Sequence, residues 1–290
     1  MSRFPVTHKI AFQGLPGAYS HMACKAAYPD LEPLPCAAFE DAFAAVRDGH
    51  ADLGMIPIEN SVAGRVADIH HLLPLSGLHI IAEHFQRVNH HLLGPESATL
   101  KTIKEVHSHV HALGQCRKLI RKMGLKPVVH ADTAGAAADV AKLGDPTIGA
   151  IASELAAEIY GLKSLKAGIE DADHNTTRFI IMTREPKSFG PQDGPFVTSF
   201  VFRVRNVPAA LYKALGGFAT NGVNMSKLES YVEGDFVAAQ FYADIEGSPS
   251  DANVARALDE LAYFSHEVNV LGTYPAHPYR FHAREGNGGG

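Results

Sequence analysis

The chain has 290 residues, of which 46% are hydrophobic and 20% charged, with a formal net charge of −5. That length fits two domains, or one large domain with a satellite, and the acidic balance offers no attraction to nucleic acid or to an anionic membrane. No apolar run approaches the ~20 residues that span a bilayer, and the start "MSRFPVTHKIAFQG" lacks the apolar stretch of a secretory signal, so a cytoplasmic location is expected. Cys24, Cys36 and Cys116 cannot all pair within one chain and form no C-x-x-C, which argues against a disulfide framework or a cysteine zinc site.

In chain order, "HKIAFQG" reads as a short buried strand, followed by helices in "AYSHMACKAAY" and "FEDAFAAVRDG", the second stopped by Gly49. "ADLGMIPI" is a strand, "VAGRVADIHHLL" a helix, "GLHIIAEHF" and "HHLLG" strands, and "EVHSH" is extended. "HALGQCRKLIRKMG" is a helix with a basic last turn and Gly124 as its stop. "KPVVH", "TIGAIAS" and "TTRFIIMTRE" are strands, separated by the helices "TAGAAADVAKLG" and "ELAAEIYG". Alternation of this kind predicts an α/β architecture with largely parallel sheets.

"PKSFGPQDGPF" is rich in Pro and Gly and reads as a linker. Beyond it, "FVTSFVFRV", "AALYKALGGFATNG", "VNMSKLESYVEG", "DFVAAQFYADIEG", "DANVARALDELAYF" and "HEVNVLGTY" spell βαββαβ, a ferredoxin-like unit. The expected organisation is therefore 1–185, a linker at 186–195, a second domain at 196–280 and a disordered tail at 281–290, where "REGNGGG" has no core-forming residues.

Three stretches stand out chemically. "HNTTRF" at 174–179 crowds hydroxyls, an amide and a guanidinium at the mouth of a buried strand, where a plain strand-capping turn is the simpler reading. "QGLPGAYSHMA" places Gly14 and Gly17 between strand and helix, so that the N–H groups of Ala18, Tyr19 and Ser20 face a possible anion. It matches neither a dinucleotide nor a Walker loop. "PIENSVAGRV" carries Glu59, Asn60 and Ser61 off a strand end, where ligands bind in open α/β sheets, although helix capping by Asn60 or Ser61 is the alternative.

These stretches, with "HSHVHALGQC", "DTAGAAADVA" and "IASELAAEIYGL", occur in an order that resembles the prephenate dehydratase family over residues 8–280. The resemblance implies two α/β lobes of the type II periplasmic-binding-protein kind with the substrate in the cleft between them, and a C-terminal ferredoxin-like ACT domain. It implies conversion of prephenate to phenylpyruvate: the ring carboxylate departs as carbon dioxide, its electrons expel the ring hydroxyl, and the ring becomes aromatic. Aromatisation drives the step, so no metal or other cofactor is expected. Thr177 would serve the leaving hydroxyl, with Asn60, Ser108 and Gln115 as further catalytic positions. Ala18 and Ser20 would bind the pyruvyl carboxylate through backbone N–H groups, Arg178 offers a planar fork for a carboxylate, and Phe179 packs against substrate or core. Glu59 is expected to be structural, since its charge would repel a dianion.

The alternating His107, His109 and His111 could bind zinc on a continuous strand, but the family places a helix start near His111, so no metal is expected. Cys116 reads as a small buried residue, and the pairs His70-His71 and His90-His91 as surface or core without a role. By resemblance, phenylalanine would bind between two ACT units near Ala210, Leu211, Asn224, Met225 and Ser226, which requires a homodimer or homotetramer. The family often has Gly where this chain has Ala209, and Arg-Pro where it has Tyr231 and Val232. The first strand begins near residue 8, so a single activity is expected. Arogenate dehydratase, and a non-catalytic two-lobed binding protein, are the alternatives.

Overall fold

The computed structural model describes residues 6–66, 69–205, 207–233 and 237–281. Of the tail expected at 281–290, residues 282–290 lie outside the described residues.

Strands β1 (Lys9–Gln13), β2 (Glu32–Cys36) and β3 (Leu53–Asn60) alternate with helices α1 (Tyr19–Ala27) and α2 (Phe39–Arg47), and β4 (Gly64–Arg65) folds back on β3. Helix α3 (Ile69–Leu72) and a 3-10 turn (Leu73–Leu75) lead to β5 (His79–Arg87) and β6 (His91–Gly94). Next come β7 (Glu105–His109), α4 (Val110–Gln115), α5 (Arg117–Met123), β8 (Lys126–His130), α6 (Thr133–Leu143), β9 (Ile148–Ala152), α7 (Glu154–Tyr160), β10 (Lys163–Lys166) and β11 (Thr176–Thr183). The C-terminal run is β12 (Phe196–Val204), α8 (Ala210–Thr220), β13 (Met225–Glu233), β14 (Val237–Glu246), α9 (Ala252–Phe264) and β15 (Ser265–Pro275). No helix among the described residues is long and apolar enough to cross a membrane.

Two compact units divide the chain within β5 and β11: one is Val6–Val66 with His84–Phe179, the other the described parts of Ala67–Glu83 and Ile180–Gly290. The segment before Glu83 thus groups with the C-terminal strands, which a division at 185 does not capture.

The first unit is built on two sheets. One runs β2-β1-β3-β11-β5, with β4 on β3, and the other runs β10-β6-β9-β7-β8. β1 is parallel to β2 and β3, and β7 to β8 and β9, while β6 is antiparallel to both β9 and β10. Ile10, Ala11, Phe12, Met55, Ile56 and Ile58 fill the middle strands of the first sheet. Two apolar clusters belong to the second, one around Val106, Leu119 and Ile151, the other around Ala137, Val140 and Ala156.

Two expectations fail locally, for physical reasons. "VAGRVADIHHLL" is helical only at its end, as α3; at its start Asn60 Oδ1 takes the N–H groups of Val62 (2.9 Å) and Ala63 (2.7 Å), and Gly64 at φ +82° turns the chain back as a hairpin. The helix expected through Cys116 breaks there, at φ −120°, into α4 and α5, while Gly124 still ends α5 in the left-handed conformation. Two strands lie outside the predicted elements: β2, "EPLPC", whose two prolines a sheet tolerates on an edge strand, and β10.

Short bonds fix the loop before α1. Ser153 caps α7 by accepting from Ala156 N–H (3.0 Å) and donates its hydroxyl to the Gly17 carbonyl, and Tyr160 donates to the Pro16 carbonyl at 2.8 Å. Gly17 sits at φ +92°, and a Cβ there would lie 2.7 Å from Ala156 Cα. The absence of a side chain at Gly17 therefore sets how close the loop comes to α7.

In the second unit the sheet order β13-β14-β12-β15 is antiparallel throughout, with α8 and α9 covering one face through Phe200, Phe202, Phe218, Phe241, Ile245 and Leu261. Alternate residues carry the opposite face. There the buried Asp244 accepts from Ser199 and Tyr242 hydroxyls, and Arg280 grips Glu83 through Nε (2.6 Å) and Nη2 (2.8 Å). Ala209, immediately before α8, is held at φ +60°, ψ +20°.

Two stability tests follow from these backbones. Gly17→Ala combines a left-handed backbone with a steric clash and should cost about 2–4 kcal/mol in urea unfolding. Ala209→Gly relieves a left-handed alanine against a more flexible unfolded chain and should stabilise by about 0.5–1 kcal/mol.

Candidate active site

The end of β3 and the start of β11 meet at "ENS" and "HNTTRF". Ser61 laces them: its N–H donates to the Thr176 carbonyl (2.9 Å), its hydroxyl to the His174 carbonyl (2.7 Å), and it accepts from Thr176 N–H (3.0 Å). The crowded polar stretch is thus partly a strand-capping turn, as the simpler reading had it. The side chains at its centre do something further.

Asn60 Nδ2 donates to Asn175 Oδ1 (2.8 Å) and to Thr177 Oγ1 (3.0 Å). Asn175, only 1% exposed, donates through Nδ2 to Gln115 Oε1 at 2.9 Å. The same oxygen lies 2.9 Å from His90 Nε2, and His90 Nδ1 lies 2.9 Å from the Tyr19 hydroxyl, which is also 2.7 Å from the Asn89 carbonyl. One network of side chains therefore runs from the first sheet to the second. Asn60, Gln115 and Thr177 are brought together. Asn175, the His90 ring and the Tyr19 phenol, none of them a site side chain expected from the sequence, complete the set. His90 was read as having no role; it is 2% exposed and hydrogen-bonded at both ring nitrogens.

Every member of the network is neutral when ordinarily protonated. Burial lowers the His90 pKa from its usual 6.5, outweighing Gln115 and Glu170, which favour the charged form. Burial, with Cys116 and Glu170 nearby, holds the Tyr19 phenol well above its usual value. Burial also raises the Cys116 thiol, which removes any thiolate nucleophile from the site.

The remaining candidates lie differently. Successive residues of a strand point to opposite faces, so Arg178 and Thr177 do not share one. Arg178 is buried and donates to Glu59 Oε1 at 3.0 Å, on the side away from the Asn60–Thr177 bond. The fork expected to bind a substrate carboxylate thus turns one of its N–H groups to Glu59, which here is its ion-pair partner. Ser108 is wholly buried and donates to the Ile151 carbonyl at 2.6 Å, tying β7 to β9, with no bond to the Asn60–Thr177 network. Phe179 is core. The Ala18 N–H is not open to an anion, because it donates to the Leu15 carbonyl at 3.0 Å, and Gly17 N–H goes to His21 Nδ1. The N–H of Ser20, in the first turn of α1, has no acceptor within its helix. His107 and His109 share a face of β7, but His111 lies in α4, and no trio of metal-binding side chains assembles among the described residues.

In the second unit, Ala210 and Leu211 start α8 while Asn224, Met225 and Ser226 follow its end, so about 15 Å of helix separates the two groups along one chain. Asn224 donates to Glu246 at 2.8 Å, and Arg280 reaches Ser226 Oγ at 3.3 Å. Tyr231, in place of the family's arginine, is buried and edge-on to His71, with centroids 6.2 Å apart.

The profile of the prephenate dehydratase family matches residues 10–187, which hold every member of this network. The chain belongs to the prephenate dehydratase family. A Komagataeibacter europaeus relative, named bifunctional N-acyl-homoserine lactone acylase/prephenate dehydratase, is 54% identical over 93% of this chain and 97% of its own. That relative has two named activities, where one is expected of this chain. Arogenate dehydratase/prephenate dehydratase 1 of Arabidopsis thaliana is 40% identical over 92% of this chain and 72% of its own. Among solved structures, one described as "GqqA- a novel type of quorum quenching acylases" superposes with a TM-score of 0.87 and 53% identity, covering 96% of this chain and 100% of that one. The prephenate dehydratase of Arthrobacter aurescens, in complex with L-Phe, superposes at 0.84 with 30% identity, covering 96% and 97%.

The depressed pKa of His90 has a sign. A neutral buried histidine contributes stability that is present above its unfolded pKa, near 6.5, and lost as pH falls through the lower folded value. Between about pH 7 and pH 5, wild-type urea midpoints should therefore fall more steeply than those of His90→Gln.

Proposed function

We propose that this member of the prephenate dehydratase family converts prephenate to phenylpyruvate at the Asn60–Gln115–Thr177 network. The observation that carries the reading is the bond from Asn60 Nδ2 to Thr177 Oγ1. Because the hydroxyl oxygen accepts there, its proton is turned outward, where no acceptor stands among the described residues. It donates to the ring hydroxyl of the substrate as that group leaves. The carbon–carbon bond to the ring carboxylate breaks, its electron pair enters the ring, the carbon–oxygen bond breaks, and the departing hydroxide takes a proton to become water. An ordinary hydroxyl is a weak acid, so Thr177 acts as a positioned donor, with the proton replaced from solvent.

Neutral groups around the reacting centre suit this chemistry. A cation paired tightly with the departing carboxylate would stabilise the ground state, and the buried guanidinium nearby is held on the opposite strand face by Glu59. Arogenate, with an amino group where prephenate has a keto group, presents the same ring to the same donors, and relatives carry both names.

The C-terminal βαββαβ unit is read as an ACT domain through which phenylalanine inhibits, supported by the phenylalanine complex of the Arthrobacter aurescens protein. Since Ala210 and Leu211 stand a helix length from Asn224, Met225 and Ser226, a second copy supplying the other half of the site fits the separation, and a homodimer or homotetramer follows. The enzyme is read as cytoplasmic.

A second reading, hydrolysis of N-acyl-homoserine lactones, is favoured by the 54% identity to the bifunctional relative. Ser164 Oγ lies 2.9 Å from His91 Nδ1, a pair such hydrolysis could draw on.

The purified chain should be offered prephenate and arogenate separately, with and without phenylalanine, and then an N-acyl-homoserine lactone. Turnover of prephenate suppressed by phenylalanine is expected. Thr177→Ala should lower kcat by ~10²–10⁴-fold with folding intact, and Thr177→Ser should recover most of it. Near-normal kcat in Thr177→Ala would remove the donor assignment. Lactone hydrolysis lost in Ser164→Ala, with dehydration unchanged, would establish the second activity.

A further inference from the structure

The proton positions of the buried network follow from its anchored end. The N–H groups of Val62 and Ala63 both point at one side-chain atom of Asn60, which must be its oxygen. Its other terminal atom is then the NH2, which donates to Asn175 and Thr177. The Asn175 atom that receives this bond is therefore an oxygen, so its nitrogen faces Gln115. The Gln115 atom that accepts from Asn175 is in turn an oxygen, and that oxygen also faces His90 Nε2 at 2.9 Å. An oxygen cannot donate, so Nε2 carries a proton. In the neutral ring Nδ1 is then a bare acceptor, 2.9 Å from the Tyr19 hydroxyl, whose single proton is shared between it and the Asn89 carbonyl at 2.7 Å. Two backbone amides thereby dictate a tautomer four side chains away.

The consequence falls on Gln115. Its oxygen is filled by two donors, and its amide nitrogen has no hydrogen-bond partner among the described residues. The nitrogen is left to a ligand. Without the His90 bond the amide could rotate by half a turn at the cost of one hydrogen bond to Asn175. With it, reversal would set N–H against N–H at Asn175 and also force the His90 ring to move its proton from Nε2 to Nδ1. We infer that His90, as the Nε2–H tautomer set by the Gln115 oxygen, is a positioning residue that locks Gln115 with its N–H groups toward the substrate.

For catalysis, this rests on the dehydratase reading given above. His90 does not touch the reacting atoms, and an amide does not relay protons as an acid or base would, so its contribution is orientation.

Substitutions separate the two ring nitrogens. His90→Gln places an NH2 where Nε2 stood; His90→Asn places an oxygen where Nδ1 stood; His90→Leu removes both. Expected values of kcat/KM are ~10–100-fold below wild type for His90→Leu and His90→Asn, with His90→Gln within ~5-fold of wild type. In wild-type protein labelled with 15N-histidine, the ring resonances that vanish in His90→Gln should show protonated Nε2 and bare Nδ1 at pH 7.5. A bare Nε2 overturns the inference, as does rescue by Asn in place of Gln, or equal loss in all three variants. The tautomer is read without turnover, so a wild-type chain inactive on both substrates would overturn the functional reading and leave this test standing.

Discussion

Two backbone N–H groups on one side-chain oxygen hold the site together. Val62 and Ala63 donate to Asn60 Oδ1 because the chain reverses at once after β3, and the reversal is possible because Gly64 adopts a left-handed backbone. That turn fixes which end of the Asn60 amide faces inward. From there each bond has one sense only, through Asn175 to Gln115 and through Thr177 to the open side. A hydrogen-bonded network whose bonds each run in one sense is held rigid, and a rigid set of donors needs no rearrangement as charge moves onto the leaving group of the proposed reaction.

The same two strands sort charge by face. Glu59 and Asn60 are neighbours on β3, and Arg178 and Thr177 are neighbours on β11, yet the pleat sends the ion pair one way and the amide–hydroxyl pair the other. The two strands thus hold full charges and neutral donors within one residue of each other without mixing them. For the proposed substrate, which carries two carboxylates and loses one, a neutral face gives positioning without excessive stabilisation of the starting state. The low pKa of His90 belongs to the same arrangement: burial keeps the ring uncharged where it supports Gln115.

The C-terminal unit follows a different logic. Its four-stranded sheet buries aromatic residues beneath two helices and leaves a polar, hydrogen-bonded opposite face. Ala209 is held where glycine would be at ease, at the entrance to α8 and next to Ala210 and Leu211. Backbone strain at the edge of a proposed ligand site is a common feature of regulated proteins. Tyr231 packs edge-on to His71.

Much was legible in the sequence alone. Most of the strand and helix order and the βαββαβ unit follow from periodicity and glycine placement, because those signals are local along the chain, whereas Asn60, Gln115 and Thr177 are pointed to only by the family resemblance of their motifs. What local signals could not carry is direction. Arg178 reads as a substrate fork until the pleat shows which face it takes, and Ala18 reads as an anion donor until its N–H is seen closing a turn on Leu15. His90 reads as one more core histidine, since nothing near it in sequence announces Tyr19, 71 residues away, or Gln115, 25 away. Sequence by itself determined which chemical groups are present and in what order. Tertiary structure decided which way each donor points, because a hydrogen bond's sense is set by the partner across the fold and not by the neighbour along the chain.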